Sequence, residues 1–110
     1  MSAYSSKMDK IAGLKKILEQ DPKNSFARYG LAMELAGRGE TSAALAEFDT
    51  LLANDPGYTA GYFMAAQTLS AAGRTQEAIA RLKAGIDCAT ISGNHHAAKE
   101  MQTMLEELER

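Results

Sequence analysis

Two Asp-Pro dipeptides, Asp21-Pro22 and Asp55-Pro56, stand 34 residues apart and constrain the fold more than any other feature of the sequence. Proline removes a backbone N–H donor and pushes the preceding residue out of the helical region, so each dipeptide predicts the end of a helix. The same 34-residue shift superposes further pairs: Leu35 on Leu69, Gly39 on Gly73, Thr41 on Thr75 and Ala44 on Ala78. A fixed period of this length indicates a repeating structural unit rather than two unrelated turns.

Apolar residues recur at intervals of three and four along the whole chain, which predicts amphipathic helices and no strands. Gly39 and Gly73 are predicted to close helices in the left-handed conformation, and Thr41 and Thr75 to cap the helices that follow. Near the C-terminus, Gly93 is the predicted stop of a longer helix. The predicted helices cover residues 5–20, 25–36, 41–53, 59–70, 75–91 and 95–108.

Tandem helix pairs with a 34-residue period resemble the tetratricopeptide repeat family, whose pattern is W-x2-L-G-x2-Y, then A-x3-F, then P. The first unit supplies Leu31-Ala32, Leu35, Ala44, Phe48 and Pro56, and the second supplies Tyr62, Ala65-Ala66, Leu69, Ala78 and Leu82. Each unit departs from the pattern once, because Arg28 stands where the family prefers an aromatic residue and Thr90 stands where the closing proline belongs.

The resemblance implies an all-α fold, a right-handed superhelical stack of antiparallel helix pairs, or α-solenoid, of about six helices in one domain over residues 1–110. The implied divisions are an N-terminal half-repeat helix over 5–20, repeat 1 over 25–58, repeat 2 over 59–92 and a C-terminal capping helix over 94–109. Such a cap shields the last apolar surface of a repeat array from solvent.

Four small residues are predicted at the points where paired helices cross closely. A larger side chain at such a crossing would hold the helices apart, at a typical cost of about 1–3 kcal/mol. The residues are Ala32, Ala44, Ala66 and Ala78.

The charge balance and the cysteine content exclude several classes of function. With 14 acidic and 12 basic residues, the chain has no basic excess to neutralise phosphates, so no nucleic-acid partner is expected. No segment approaches the roughly 20 apolar residues of a membrane span or the pattern of a signal peptide, so no membrane partner and a cytoplasmic location are expected. Cys88 stands alone and cannot form an intramolecular disulfide.

Candidate catalytic groups are sparse. His95 and His96 are adjacent, so on a helix they point about 100° apart and cannot share a metal ion as an i, i+4 pair can. The Gly-Arg-Gly segment at Gly37 lacks the spacing and the lysine of a phosphate-binding loop. The sequence therefore predicts no catalytic residue, no metal site and no cofactor, and an enzyme or metal protein stays a remote alternative.

The resemblance also implies a concave groove lined by the first helix of each pair. The groove-lining positions are Phe26, Tyr29, Met33, Ala60, Phe63 and Gln67. The family's clamp for an acidic C-terminus places lysine, asparagine and arginine on these helices, and this chain has Tyr29, Met33 and Met64 there instead. The implied partner is an apolar or amphipathic segment of another protein, and the alternative is that these aromatic residues belong to the core.

The first helix lacks a pairing helix of its own, which suggests a second class of function. Its apolar residues could pair with those of another copy across a two-fold axis, giving a homodimer or a structural scaffold module. This predicted self-association face consists of Met8, Ile11, Leu14 and Leu18.

Overall fold

The computed structural model of the chain describes the backbone of residues 3–110 and the side chains of residues 10–110. That part of the chain contains six α-helices and no strand, which confirms the all-α prediction. Every observed helix end lies within two residues of its predicted position. The helices are α1 (Ala3–Gln20), α2 (Ser25–Gly37), α3 (Thr41–Asn54), α4 (Thr59–Ala71), α5 (Thr75–Ile91) and α6 (His95–Leu108).

The chain divides into two compact units, Met1–Asn54 and Asp55–Arg110. In the first unit, α2 packs against both α1 and α3. Its buried apolar side chains are Ile11, Leu18, Ala27, Leu31, Ala32, Leu35, Ala44, Leu45, Phe48, Leu51 and Leu52.

In the second unit, α5 packs against α4 and α6, and α4 also contacts α6. This unit has its own set of buried side chains, to which α6 contributes two. They are Tyr62, Ala65, Ala66, Leu69, Ala78, Ile79, Leu82, Ala89, Met101 and Leu105.

Both Asp-Pro dipeptides end a helix, as their chemistry predicts, and they build the same turn. The N–H of Asn24 donates to the carbonyl oxygen of Asp21 at 3.1 Å, and the N–H of Tyr58 donates to that of Asp55 at the same distance. Asn24 also caps α2, because its side-chain oxygen accepts from the N–H of Ala27 at 2.9 Å. The same backbone hydrogen bond therefore recurs after 34 residues, which is the period of the sequence.

The three remaining turns share a glycine in the left-handed region, with φ of 79° at Gly39 and 77° at Gly73 and Gly93. In each turn the glycine N–H bonds the carbonyl three residues back, and the following N–H bonds the carbonyl five residues back, as Glu40 does to Leu35 at 3.0 Å. This is the Schellman arrangement that satisfies the last carbonyls of a helix. The predicted stop of α5 at Gly93 is confirmed.

The predicted caps at Thr41 and Thr75 were wrong. Thr41 is the first residue of α3. Thr75 is the first residue of α5, and Arg74 takes the capping position without a side-chain bond to the helix N-terminus. The Arg74 guanidinium instead pairs with the carboxylate of Glu77 at 2.6 Å. Glu77 lies in the first turn of α5, where its carboxylate interacts favourably with the positive end of the helix dipole.

The alanines predicted at the close crossings are all fully buried. Each has 0% exposure, two lying on the packed pair α2 and α3 and two on the pair α4 and α5. They are Ala32, Ala44, Ala66 and Ala78.

Candidate functional site

The first of the two helices predicted to line a groove is α2, and its candidate residues form the α2 face: Phe26, Tyr29 and Met33. Phe26 lies one residue inside the helix and is 80% exposed, so it is not a core residue. Tyr29 and Met33 are half-buried. The Tyr29 ring meets the buried Phe48 ring edge-on, with centroids 6.4 Å apart, so this tyrosine also contributes to packing between α2 and α3.

The second helix is α4, and its candidate residues form the α4 face: Ala60, Phe63 and Gln67. Phe63 is half-buried, and the other two are exposed. No residue of this face belongs to the buried core of the second unit. The α2 face belongs to the first unit and the α4 face to the second.

Neither helix presents an unpaired charge. Residues Thr59–Ala71 of α4 include no Asp, Glu, Lys or Arg. The two charged residues of α2 are Arg28 and Glu34. Glu34 pairs with the Lys10 ammonium at 2.8 Å, and Arg28 pairs with Glu47 at 2.6 Å. Both faces are therefore suited to apolar and hydrogen-bonding contacts rather than to a charged ligand group.

Tyr62 anchors the start of α4 from its buried side. Its hydroxyl donates to the carbonyl oxygen of Pro56 at 2.7 Å. Burial raises the pKa of the Tyr62 hydroxyl, the nearby Cys88 raises it further, and the Arg81 guanidinium opposes both. The side chain therefore stays a neutral donor at physiological pH.

Gly85 is a structurally important residue that sequence reasoning missed. A Cβ atom at this position would lie 2.6 Å from the Cβ of Tyr62 and 2.5 Å from the sulfur of Met101. The absence of a side chain therefore lets α5 approach both α4 and α6 closely. The sequence signal for this role was a glycine inside a predicted helix. Glycine there destabilises a helix by about 0.5–1 kcal/mol relative to alanine, so its presence suggests a packing requirement.

The predicted self-association face is largely covered within the first unit. Ile11 and Leu18 are each 8% exposed. The Leu14 methyl groups lie 3.5 and 3.6 Å from where a Cβ on Gly30 would stand, so they pack over α2. The side chain of the fourth residue, Met8, lies outside the described side chains. This burial weighs against pairing with a second copy.

Lys10, on the same helix, stands where the two repeats have a small residue. The 34-residue shift places Lys10 on Ala44 and Ala78, the small residues buried at helix crossings. The Lys10 side chain is 63% exposed and forms an ion pair with Glu34. Lys10 is therefore exposed and charged at the position where each of the two repeats buries an alanine.

The histidines form no metal site within the described residues. No group of three His, Cys, Asp or Glu side chains comes together there in a way that could hold a metal ion. His96 instead lies 3.2 Å from the carboxylate of Glu100, one helical turn further on.

In the part of the chain that the structure describes, no helix has both the length and the apolar character needed to span a bilayer.

Short helix pairs joined by alternating glycine and Asp-Pro turns define a helical-repeat protein. The family model described as the tetratricopeptide repeat matches residues 35–101. A TPR repeat-containing protein of Pseudomonas aeruginosa is 30% identical over 100 residues, which cover 91% of this chain and 95% of that protein. The chain belongs to the tetratricopeptide repeat family.

Solved structures show the same all-α helical-repeat fold. The solution structure of a tetratricopeptide repeat domain protein from Salinibacter ruber is 32% identical, with a TM-score of 0.76 over 80% of this chain and 89% of that one. The TPR2B domain of yeast Sti1, solved in a complex with pHsp70, is 18% identical, with a TM-score of 0.84 over 96% of this chain and 87% of that one.

Proposed function

We propose that this protein is a non-catalytic interaction module that binds an apolar or amphipathic segment of a partner protein through the α2 face and the α4 face. Tetratricopeptide repeat domains generally mediate protein–protein interactions, which sets the class of function. The observation that carries the proposal is Phe26, a large aromatic side chain left 80% exposed on a helix without unpaired charge. Aromatic residues and methionine are enriched at protein interfaces.

The proposed contacts follow from the chemistry of the two faces. Phe26 and Phe63 supply apolar area, and Met33 supplies an adaptable thioether surface. The exposed side chain of Gln67 supplies a polar group that can fix the orientation of a bound segment. The complex of the yeast Sti1 domain with pHsp70 supports a protein ligand, because it shows this fold engaged with one.

The proposal is tested with peptides selected from a random library displayed on phage, using the full-length protein as bait. Fluorescence anisotropy then gives the dissociation constant of a selected, labelled peptide for each variant. We expect Phe26→Ala and Phe63→Ala each to weaken binding about 30-fold, since interface hot spots typically contribute about 2 kcal/mol or more. Phe26→Ala is the cleaner variant, because the exposed side chain contributes little to the core.

The matched control is Ile91→Ala, which removes an 87% exposed apolar side chain from α5 rather than from either proposed face. Its dissociation constant should equal that of the unmodified protein, and thermal melts should show all three variants folded. Unchanged binding in both phenylalanine variants would mean that the ligand contacts another surface. Tyr29→Ala is less informative, since it also removes the contact with Phe48.

A further inference from the structure

Arg28, the residue that departs from the family pattern, makes the same hydrogen bond as its aromatic counterpart. The 34-residue shift pairs Arg28 with Tyr62 and Pro22 with Pro56. The Arg28 guanidinium donates through Nη2 to the carbonyl oxygen of Pro22 at 2.8 Å. The Tyr62 hydroxyl donates to the carbonyl oxygen of Pro56 at 2.7 Å. Each side chain therefore ties the first helix of its pair to the preceding Asp-Pro turn.

The partner on the second helix of the pair differs in charge. Arg28 also donates through Nη1 to the carboxylate of Glu47 on α3, at 2.6 Å. The side chains of this ion pair are only 15% and 26% exposed. In the second unit the position equivalent to Glu47 is Arg81. Burial raises the pKa of the Tyr62 hydroxyl, and the positive charge of Arg81 acts against this larger effect to lower it. A glutamate thus accompanies the arginine, and an arginine accompanies the tyrosine.

We propose that Arg28 with Glu47 in the first unit, and Tyr62 without a charged partner in the second, are two interchangeable forms of one latch that holds the Asp-Pro turn. A guanidinium has several donors in a fixed fork, so Arg28 can serve the turn and α3 together. A phenol has one donor, so Tyr62 serves the turn alone and needs no carboxylate.

The first latch therefore depends on the opposite charges of Arg28 and Glu47. An arginine at position 47 would repel Arg28 and release its hydrogen bond to the turn. The second latch does not depend on a charged partner. Arg28 is accordingly a positioning residue for the start of α2, the helix that carries Phe26 and Tyr29.

Amide hydrogen exchange followed residue by residue by NMR tests this latch in the full-length protein without any ligand. The reporters are the Asn24 amide, bonded to Asp21, and the Ala27 amide, bonded to the Asn24 side chain. Glu47→Arg should accelerate exchange at both amides about tenfold or more, since a hydrogen bond to a charged group contributes more than a neutral one. The Tyr58 amide, equivalent to Asn24 in the second unit, is the internal reference and should be unchanged.

The decisive variant is Arg28→Tyr combined with Glu47→Arg, which installs the second unit's pair in the first unit. It should return exchange at Asn24 and Ala27 to within about threefold of the unmodified protein, because the phenol restores the bond to the turn. Glu47→Gln keeps the shape and removes the charge. It should accelerate exchange about threefold, and it decides the matter if Glu47→Arg fails to fold.

Three results would overturn the latch. The first is exchange in the double variant as fast as in Glu47→Arg alone. The second is no acceleration in either single variant at position 47. The third is equal acceleration at Tyr58, which would show a general loss of stability. Because no ligand is involved, these outcomes are independent of the peptide-binding proposal.

Discussion

At the scale of single residues, a difference between the two repeats changes how the helices pack. Leu51 is buried in the first unit, and the equivalent position in the second unit is Gly85, beside Met101 of α6. The second unit therefore accommodates a large methionine by giving up a side chain on α5. The total volume at the crossing matters more than the identity of either residue, because protein interiors are close-packed.

Gly85→Ala should destabilise the protein by about 1–3 kcal/mol, although alanine is the better helix former, because its methyl group would collide with Tyr62 and Met101. Urea denaturation measures the change in the free energy of unfolding. The matched control is Gly13→Ala on α1, where a methyl group would meet open space as far as the described side chains go. This control should stabilise the protein by about 0.5–1 kcal/mol. Equal gains in both variants would show that the crossing at Gly85 is not tight.

At the scale of elements, α6 differs from the other first helices of the array in how it is joined. A Schellman turn at Gly93 precedes it, whereas Asp-Pro turns precede α2 and α4. The capping residues Asn24 and Tyr58 are 34 residues apart, and Asn94 follows Tyr58 by 36, so the register slips by two. The longer α5 absorbs this slip, and α6 still buries Met101 and Leu105.

Truncation after Gly93 should leave an aggregating or partly unfolded chain, because it exposes the apolar surface that Met101 and Leu105 cover. Size-exclusion chromatography and a thermal melt followed by circular dichroism measure this effect. Removing only residues 109–110, which follow α6, is the control and should leave the melt unchanged. A monomeric truncated protein with a cooperative transition would contradict the capping role of α6.

At the scale of the whole molecule, the remaining question is whether copies of the chain associate through α1. The self-association hypothesis treats Leu14 as a dimer contact, whereas the structure packs it over Gly30 of α2. The two interpretations give opposite expectations for a charge at this position.

Light scattering over a hundredfold range of concentration should give the mass of one chain throughout, because α2 already covers much of the predicted face. Leu14→Glu should lower the free energy of unfolding by more than about 1 kcal/mol, since it buries part of a charge against α2. The control is Ile17→Glu, at a side chain 46% exposed, which should leave stability nearly unchanged. A mass that rises with concentration, together with a helical, monomeric Leu14→Glu variant, would favour self-association instead.

The sequence by itself determined the number of helices, their ends and the family. Pro22, Pro56 and Gly93 act on their own backbone, so their effect is the same whatever packs around them. The prediction failed at Thr75, because the helix begins at that residue and Arg74 occupies the capping position. Local rules are reliable where a residue's own covalent structure restricts the backbone, as proline does, or permits a conformation that other residues rarely adopt, as glycine does.

The tertiary structure decided the role of each side chain. It showed that Arg28 makes the bond of a tyrosine, that Gly85 is a tight crossing, and that Phe26 is exposed while Leu14 packs over α2. A periodic pattern assigns these residues to a helix face and leaves open what covers that face. Their roles depend on neighbours distant in the chain, at distances of a few ångströms that only the packing of the helices sets.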